Sequence, residues 1–277
     1  MSAAVDTNRR VLPGFALSLG FTIFYLSLMI LVPMAAGFWK VSRLSFADFW
    51  AAVSSDRAIA AYSLTVGASF VSAAINIVLG FVVAWVLVRY EFPCKRLLDS
   101  LVDFPFALPT AVAGLVFSAL FVKNGWYGRV LVPLGIDVAY ARLGIVLVLV
   151  FIGFAFVVRT LQPVLEGLER DVEEASACLG ANRLQTFRSV ILPSITPAMI
   201  TGFTLAFARS LGEYGSVVFI SGNMPFRTEI APVLVVARLE EFAYGEATAI
   251  AIVLLLISFA TLLLINLLER WSSRHHG

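Results

Sequence analysis

The chain of 277 residues has little charge and few of the side chains that commonly hold metals or form cross-links. Only 14% of its residues are charged and 60% are hydrophobic, a balance typical of a protein that crosses a membrane several times. The two cysteines, Cys94 and Cys178, lie alone on separate segments and indicate neither a disulfide framework nor a metal site. The two histidines, His275 and His276, stand at the end of the chain, where a solvated tail is expected.

Nucleotide-binding and nucleic-acid-binding signals are also missing from the sequence. No segment has the Gly-x-x-x-x-Gly-Lys-Ser/Thr pattern whose backbone amides cradle phosphate groups, so the chain is not expected to bind ATP itself. A net charge of +2 gives no indication of a nucleic-acid partner. The sequence therefore predicts that this chain is not an enzyme and binds no cofactor of its own.

Long hydrophobic runs dominate what is present. A helix of about 20 apolar residues crosses the roughly 30 Å of hydrocarbon in a bilayer. Six runs approach or exceed this length, at about 12–38, 59–88, 104–122, 143–165, 195–220 and 247–268. We therefore predict an all-α, polytopic membrane protein with six transmembrane helices in a single domain spanning 1–277. An even number of spans places both termini on the same side of the membrane.

One segment between two of these runs, residues 166–193, is strongly charged and is termed the charged loop below. Eight charged side chains lie between Glu166 and Arg188, and each would cost about 2.5–3.5 kcal/mol at the centre of a bilayer. The loop must therefore lie outside the hydrocarbon, and it also shows helical periodicity. Intervals of three and four residues separate the apolar members of a first stripe: Leu165, Leu168, Val172, Ala175 and Leu179.

A glycine follows this first stripe. Gly180 stands where a helix commonly ends in a left-handed conformation, and a second apolar stripe then runs to the neighbourhood of Pro193. The pattern predicts a short helix, a bend at the glycine and a second short helix.

The residues of the charged loop resemble a known signature. A Glu-Ala-Ala triplet, three residues, Gly, nine residues, an aliphatic residue, one residue and Leu-Pro mark the permease subunits of ABC importers. The matching positions here are Glu174, Ala175, Ser176, Gly180, Val190, Leu192 and Pro193. Serine replaces the third small residue of the triplet, and valine replaces isoleucine.

This resemblance implies a type I ABC importer permease fold, in which the charged loop couples the chain to a separate ATPase subunit. The expected coupling residues are Glu173, Glu174, Ala175, Ser176, Leu179, Gly180, Leu192 and Pro193. The resemblance also places the loop, and with it both termini, in the cytoplasm. ATP and Mg²⁺ would then act in the ATPase subunit.

A second group of polar residues lies inside a predicted span. Arg209 and Glu213 are four residues apart, so they share one face of a helix and can neutralise each other away from lipid. Together with Ser210 they are candidates for a translocation path, and a purely stabilising ion pair is the alternative. Arg159, near the end of another span, is expected to extend towards the interface rather than to bind a ligand.

Two aspartates precede the third predicted span. The spacing of Asp99 and Asp103 could indicate a magnesium site of an intramembrane enzyme. No second aspartate cluster accompanies them, so we interpret them as the polar start of the span.

Four further segments are similar to the sulfate and molybdate branch of these permeases, and most similar to the first of two permeases in sulfate/thiosulfate importers. They are 104–114, 208–216, 219–225 and 227–234. The resemblance implies a multi-pass subunit in a bacterial inner membrane, surrounded by lipid, that pairs with a second, different permease subunit. The implied partners are two ATPase subunits and a periplasmic sulfate-binding protein.

Two alternative functions stay open from the sequence. Molybdate or tungstate could replace sulfate and thiosulfate as the substrate. A proton-coupled secondary anion transporter, with Arg209 and Glu213 as a proton relay, is an alternative of a different class. Such a carrier would not need a loop that docks on an ATPase.

Overall fold

The computed structural model describes residues 15–273, which form helices joined by loops and contain no β-strand. The α-helices are α1 (Phe15–Leu26), α2 (Val32–Val41), α3 (Phe46–Val53), α4 (Asp56–Arg89), α5 (Lys95–Val102), α6 (Phe104–Ala107), α7 (Thr110–Phe121), α8 (Gly128–Leu131), α9 (Arg142–Glu166), α10 (Arg170–Cys178), α11 (Arg183–Thr186), α12 (Leu192–Leu211), α13 (Val217–Ile220), α14 (Ala231–Glu240) and α15 (Tyr244–Ser273). Two π-helical turns, Ser27–Leu31 and Phe187–Ile191, join α1 to α2 and α11 to α12. The all-α prediction is confirmed for the described residues.

Five stretches of helix in the described part of the chain are long and apolar enough to cross a membrane. They are Leu17–Val41, Asp56–Arg89, Arg142–Glu166, Arg183–Leu211 and Tyr244–Leu267. Each corresponds to one predicted hydrophobic run. Residues 12–14 of the first predicted run, and both histidines, lie outside the described residues.

The remaining predicted run, 104–122, is divided into two helices. α6 has four residues and α7 has 12, and a helix of 12 residues is only about 18 Å long. The division occurs because Pro109 has no N–H and disfavours the helical conformation of the residue before it. Leu108 is accordingly extended, with φ −84° and ψ 126°. The count of six transmembrane helices therefore stays a prediction.

The fifth predicted run, 195–220, is also interrupted. α12 ends at Leu211, and the short helix α13 begins only at Val217. The carboxylate of Glu213 accepts hydrogen bonds from both the backbone N–H and the hydroxyl of Ser216, each at 3.0 Å. This turn satisfies backbone that no longer belongs to a helix, and it directs α13 against α7.

The core of the bundle is formed by α4, α9 and α12, which pack against one another along their lengths. Leu161, Ile195 and Phe207 are fully buried between these helices. α2 and α3 contact α15 at the periphery, whereas no residue of the Leu17–Val41 stretch is buried. The charged loop thus lies directly between two of the three core helices, α9 and α12.

The contact between α7 and the turn that separates α12 from α13 depends on a glycine. A Cβ atom on Gly114 would lie 2.2 Å from the carbonyl oxygen of Ser216, which is backbone and cannot rotate away. We expect Gly114→Ala to destabilise the protein by about 1–3 kcal/mol, the usual cost of overpacking. Thermal unfolding of the purified chain in detergent measures the change.

Gly67→Ala in α4 is the matched control, because a Cβ atom there has no neighbour within 4 Å. An alanine in the interior of a helix is favoured over glycine, so this variant should unfold at the same or a slightly higher temperature. Equal unfolding temperatures for both variants would contradict the close contact between α7 and Ser216.

Candidate functional site

The first arm of the charged loop is α10, which ends in a left-handed turn. Gly180 has φ +87°, the conformation that the sequence pattern predicts. The N–H of Gly180 donates to the carbonyl of Ala177 at 2.9 Å, and the N–H of Ala181 donates to that of Ser176 at 3.1 Å. These bonds satisfy carbonyl groups at the end of the helix and fix the direction of the bend.

The second arm begins with a capping box. The Asn182 side chain accepts from the N–H of Gln185 at 2.9 Å, and the Gln185 side chain accepts from the N–H of Asn182 at 2.8 Å. The hydroxyls of Ser176 and Thr186 lie 3.0 Å apart and join the two arms. The charged loop is therefore a hairpin of two helical arms with its own internal hydrogen bonds.

The prediction that the second helix ends near Pro193 is wrong. Helix continues from Arg183 to Leu211, through the π-helical turn Phe187–Ile191 and into α12. Proline is tolerated in the first turn of a helix, and Pro193 lies directly after the π-helical turn, where Leu192 donates to the carbonyl of Phe187. The second arm and the core helix α12 are thus one continuous rod.

The prediction that the first apolar stripe lies on one helix is also wrong. α9 ends at Glu166 and α10 starts at Arg170, so Leu165 is buried at the end of α9. Leu179, at the other end of the stripe, is 90% exposed. The other exposed residues among the predicted coupling positions are Glu174, Ala175, Gly180 and Pro193. A leucine this exposed, on a segment that also carries exposed carboxylates, offers apolar and charged groups to another protein.

Glu173 differs from its exposed neighbours, because it pairs with the last residue of α4. The guanidinium of Arg89 donates to the Glu173 carboxylate and lies over the ring of Trp85, 5.2 Å from its centroid. One turn further along α4, the Phe81 ring lies 5.9 Å from the ring of Phe187. Both arms of the charged loop therefore contact the same end of α4.

Arg209, Ser210 and Glu213 lie at the other end of α12. Pro193 and Arg209 are separated by about 24 Å along the helix, so the loop and this group are distinct sites. Arg209 Nη1 donates to Glu213 Oε2 at 2.6 Å, and Ser216 occupies the other carboxylate oxygen. Glu213 is only 3% exposed, whereas the Arg209 side chain is 35% exposed.

The burial of these side chains separates their roles. Glu213 has hydrogen bonds to both oxygens and is not accessible, so it orients Arg209 and holds the turn between α12 and α13. Arg209 uses one N–H group in this pair and keeps part of its guanidinium exposed. Ser210 is buried, with its hydroxyl donating to the carbonyl of Ala206 at 2.8 Å. Of the three, Arg209 alone can present charge to a molecule outside the chain.

Sequence reasoning missed a third polar cluster, which forms around Arg159. Arg159 makes two hydrogen bonds to the carboxylate of Asp103, at 2.7 and 2.6 Å, and one to Asp99 Oδ1 at 2.6 Å. Arg159 therefore binds two carboxylates instead of extending freely towards the interface. Gln162 donates to Asp99 at 3.0 Å, and this bond, with Arg159, lowers the pKa of Asp99 from its ordinary value.

The same cluster bears on the magnesium alternative for Asp99 and Asp103. Both carboxylates bind the same guanidinium, so Arg159 supplies the positive charge that they share. No group of three or more metal-ligating residues occurs in the part of the chain that the structure describes. The sequence signal that could have revealed this pairing is the Asp-x-x-x-Asp spacing together with an isolated arginine at a span end.

At the Arg57 end of α4 lies a second buried ion pair that the sequence did not indicate. Arg57 Nε and Nη2 donate to the two oxygens of Glu229, each at 2.7 Å, and Glu229 is 4% exposed. Such two-pronged pairing fixes both position and orientation. It holds the segment before α14 against the start of α4.

The chain is similar to known transport proteins along most of its length. Residues 76–275 match the family described as binding-protein-dependent transport system inner membrane component. The sulfate transport system permease protein CysT of Salmonella typhimurium is 48% identical over 263 residues, covering 95% of each chain. The protein of the same name from Escherichia coli K12 is 46% identical over 263 residues, again covering 95% of each chain.

Solved structures give the same architecture. A chain of a bacterial ABC transporter involved in the import of the acidic polysaccharide alginate superposes with a TM-score of 0.76 at 15% identity, covering 93% of this chain and 96% of that one. A chain of the MetNI methionine ABC transporter superposes with a TM-score of 0.57 at 19% identity, covering 84% of this chain and 100% of that one. The predicted importer-permease fold is therefore confirmed, and the chain belongs to the family of binding-protein-dependent transport system inner membrane components.

Proposed function

We propose that this chain is a permease subunit of an ATP-driven importer of sulfate and thiosulfate. The observation that carries this proposal is the 48% identity to a sulfate permease over 95% of both chains. The 263 aligned residues cover 95% of the chain, so the aligned region includes the charged loop and the segment from Arg209 to Ser216. The chain itself binds no ATP in this proposal, and hydrolysis belongs to a separate subunit.

The charged loop is the proposed contact with an ATPase subunit. Each of the two permease subunits would contact one of the two ATPase subunits through its own loop. Support comes from the exposure of Leu179 and Glu174, which the described part of the chain leaves uncovered. An ATPase groove would cover Leu179 and complement the acidic face of α10. Glu173 lies behind this surface and serves to attach the loop to α4.

The complete importer in this proposal contains this chain, a second and different permease subunit, two ATPase subunits and a periplasmic sulfate-binding protein. A related architecture has been solved for an alginate transporter in complex with a periplasmic protein. The membrane would be a bacterial inner membrane, with both termini and the charged loop in the cytoplasm. The Arg89 end of α4 then lies on the cytoplasmic side and the Arg57 end on the periplasmic side.

Arg209 is the proposed contact with the anion during translocation. A partly exposed guanidinium beside an interrupted helix offers N–H donors to sulfate oxygens, and Glu213 holds it in place. A translocation site must release the anion as well as bind it, so weak binding is favoured. A guanidinium that is already paired with a carboxylate provides such a site.

Uptake into proteoliposomes that contain the whole importer tests the function. We expect accumulation of radiolabelled sulfate that requires ATP inside the vesicles and the binding protein outside. Unlabelled thiosulfate should compete with it, and unlabelled molybdate should compete much less. Stronger competition by molybdate or tungstate would move the assignment to that substrate. Uptake by the permeases without the ATPase, driven by a pH gradient, would instead support the secondary transporter.

A further inference from the structure

α4 is the longest helix in the described part of the chain, and it packs against α9, α12 and α14. Its 34 residues correspond to about 51 Å, well beyond the roughly 30 Å of a hydrocarbon core. No proline or π-helical turn interrupts it between Asp56 and Arg89. The helix therefore lacks the usual causes of a sharp kink, so a displacement of one end is carried along its axis to the other.

The Arg89 end of α4 is attached to both arms of the charged loop. Phe81, Trp85 and Arg89 are spaced four residues apart and so lie on one face of the helix. Phe81 packs against Phe187 of the second arm, and Arg89 pairs with Glu173 of the first arm. A movement of either arm therefore acts on the same stripe of α4.

The Arg57 end of α4 is attached to the segment that leads into α14. The two-pronged pair between Arg57 and the buried Glu229 forms one attachment. A second attachment lies two turns further along α4, where the Thr65 hydroxyl accepts from the N–H of Ala231 at 2.8 Å. These contacts join α4 to the first residue of α14, so α4 and α14 cannot move independently at this end.

We propose that α4 is a strut that transmits movement of the charged loop to the start of α14, with Arg89–Glu173 and Arg57–Glu229 as its two attachments. This inference rests on the proposed function, because the movement it transmits is that of an ATPase-bound loop. Arg89 and Arg57 are positioning residues in this account. They contact neither the anion nor the nucleotide. They determine how much of the movement of the charged loop reaches the start of α14 through α4.

Charge reversal and charge exchange test the first attachment in the reconstituted importer. We expect Arg89→Glu, or Glu173→Arg, to lower the amount of sulfate transported per ATP hydrolysed by about fivefold, within the range of measured couplings between paired residues. The double variant Arg89→Glu with Glu173→Arg should recover most of this ratio. The same three variants at Arg57 and Glu229 test the second attachment.

A nearby exposed ion pair provides the control. Lys95 and Glu91 pair at 2.8 Å just beyond α4, and Glu91 is almost fully exposed. Lys95→Glu introduces the same change of charge at this end and should leave the ratio unaltered. Equal ratios in the wild type and in the single reversals would overturn the proposal. So would double variants that assemble normally but do not recover.

A second measurement does not depend on the substrate. In a Cys94→Ser, Cys178→Ser background, Leu239→Cys places a thiol on the exposed part of α14. We expect its rate of modification by a water-soluble maleimide to change when ATP and vanadate are added. The change should disappear with Arg89→Glu and return in the double variant. Wild-type vesicles that take up no sulfate would contradict the proposed function, whereas an ATP-dependent change that persists in Arg89→Glu would contradict the strut.

Discussion

Replacing Gly180 with valine is expected to lower ATP-driven sulfate uptake by a factor of about 5 to 30 without lowering the amount of importer in the membrane. Gly180 has φ +87°, and a side chain in this left-handed region costs about 1–2 kcal/mol. That cost lowers the equilibrium constant for forming the native bend by the stated factor. Uptake per assembled complex in proteoliposomes measures the effect.

Asparagine at the same position is the matched control. Asn tolerates the left-handed conformation, and no atom lies within 4 Å of a Cβ at Gly180 for either side chain to meet. Gly180→Asn should therefore retain much more uptake than Gly180→Val, although both side chains are similar in size. If the two variants lost uptake equally, the bend would not be the property that matters, and bulk at the ATPase contact would explain the loss.

Replacing Glu213 with leucine is expected to destabilise the importer by about 3 kcal/mol, the lower part of the range for breaking a buried ion pair. The lower part applies because Arg209 is 35% exposed and can be partly solvated. The substitution also removes the acceptor for the N–H and hydroxyl of Ser216, two bonds that hold the turn between α12 and α13. Thermal unfolding in detergent and the amount of chain recovered from membranes measure the loss.

The double variant Arg209→Gln with Glu213→Gln separates a structural role of the pair from a role in transport. Two glutamines can hydrogen bond to each other and to Ser216 without leaving a buried charge unpaired. We expect this variant to recover most of the stability that Glu213→Leu loses. Sulfate uptake should nevertheless stay at least about tenfold below the wild type, because the guanidinium that faces the anion is gone. Normal uptake by the stable double variant would show that the pair serves stability alone.

Hydropathy and helical periodicity predicted the features that residues close together in the sequence determine, namely most of the spans and the bend at Gly180. Four of the predicted runs became uninterrupted helical stretches at nearly the expected positions, because the hydropathy of a span is summed over many successive residues. The left-handed Gly180 was also predictable, since only glycine adopts that conformation at no cost. Local breaks were harder to predict. The turn after Leu211 depends on the bonds between Glu213 and Ser216, which average hydropathy does not register.

Contacts between distant parts of the chain were not predictable from a single sequence. Arg159 pairs with residues 56 and 60 positions away, Arg89 with one 84 positions away and Arg57 with one 172 positions away. Each of these charged residues could equally have been solvated at a helix end. Apart from the spacing of Asp99 and Asp103, nothing in the local pattern indicates a partner. The packing of α4, α9 and α12 determines which side chains meet, and this packing is a property of the whole fold.

The N-terminal helix that buries none of its residues has a consequence for how the protein is made. Its backbone groups are hydrogen bonded within the helix, and none of its side chains is buried in the core of α4, α9 and α12. This segment can consequently reach its final secondary structure as soon as it leaves the ribosome and enters the bilayer, before the rest of the chain has been synthesised. The later helices can form in the bilayer in the same way, but α4, α9 and α12 bury their side chains only against one another. Biogenesis of the protein therefore divides into insertion of single helices and a later, cooperative assembly of the core.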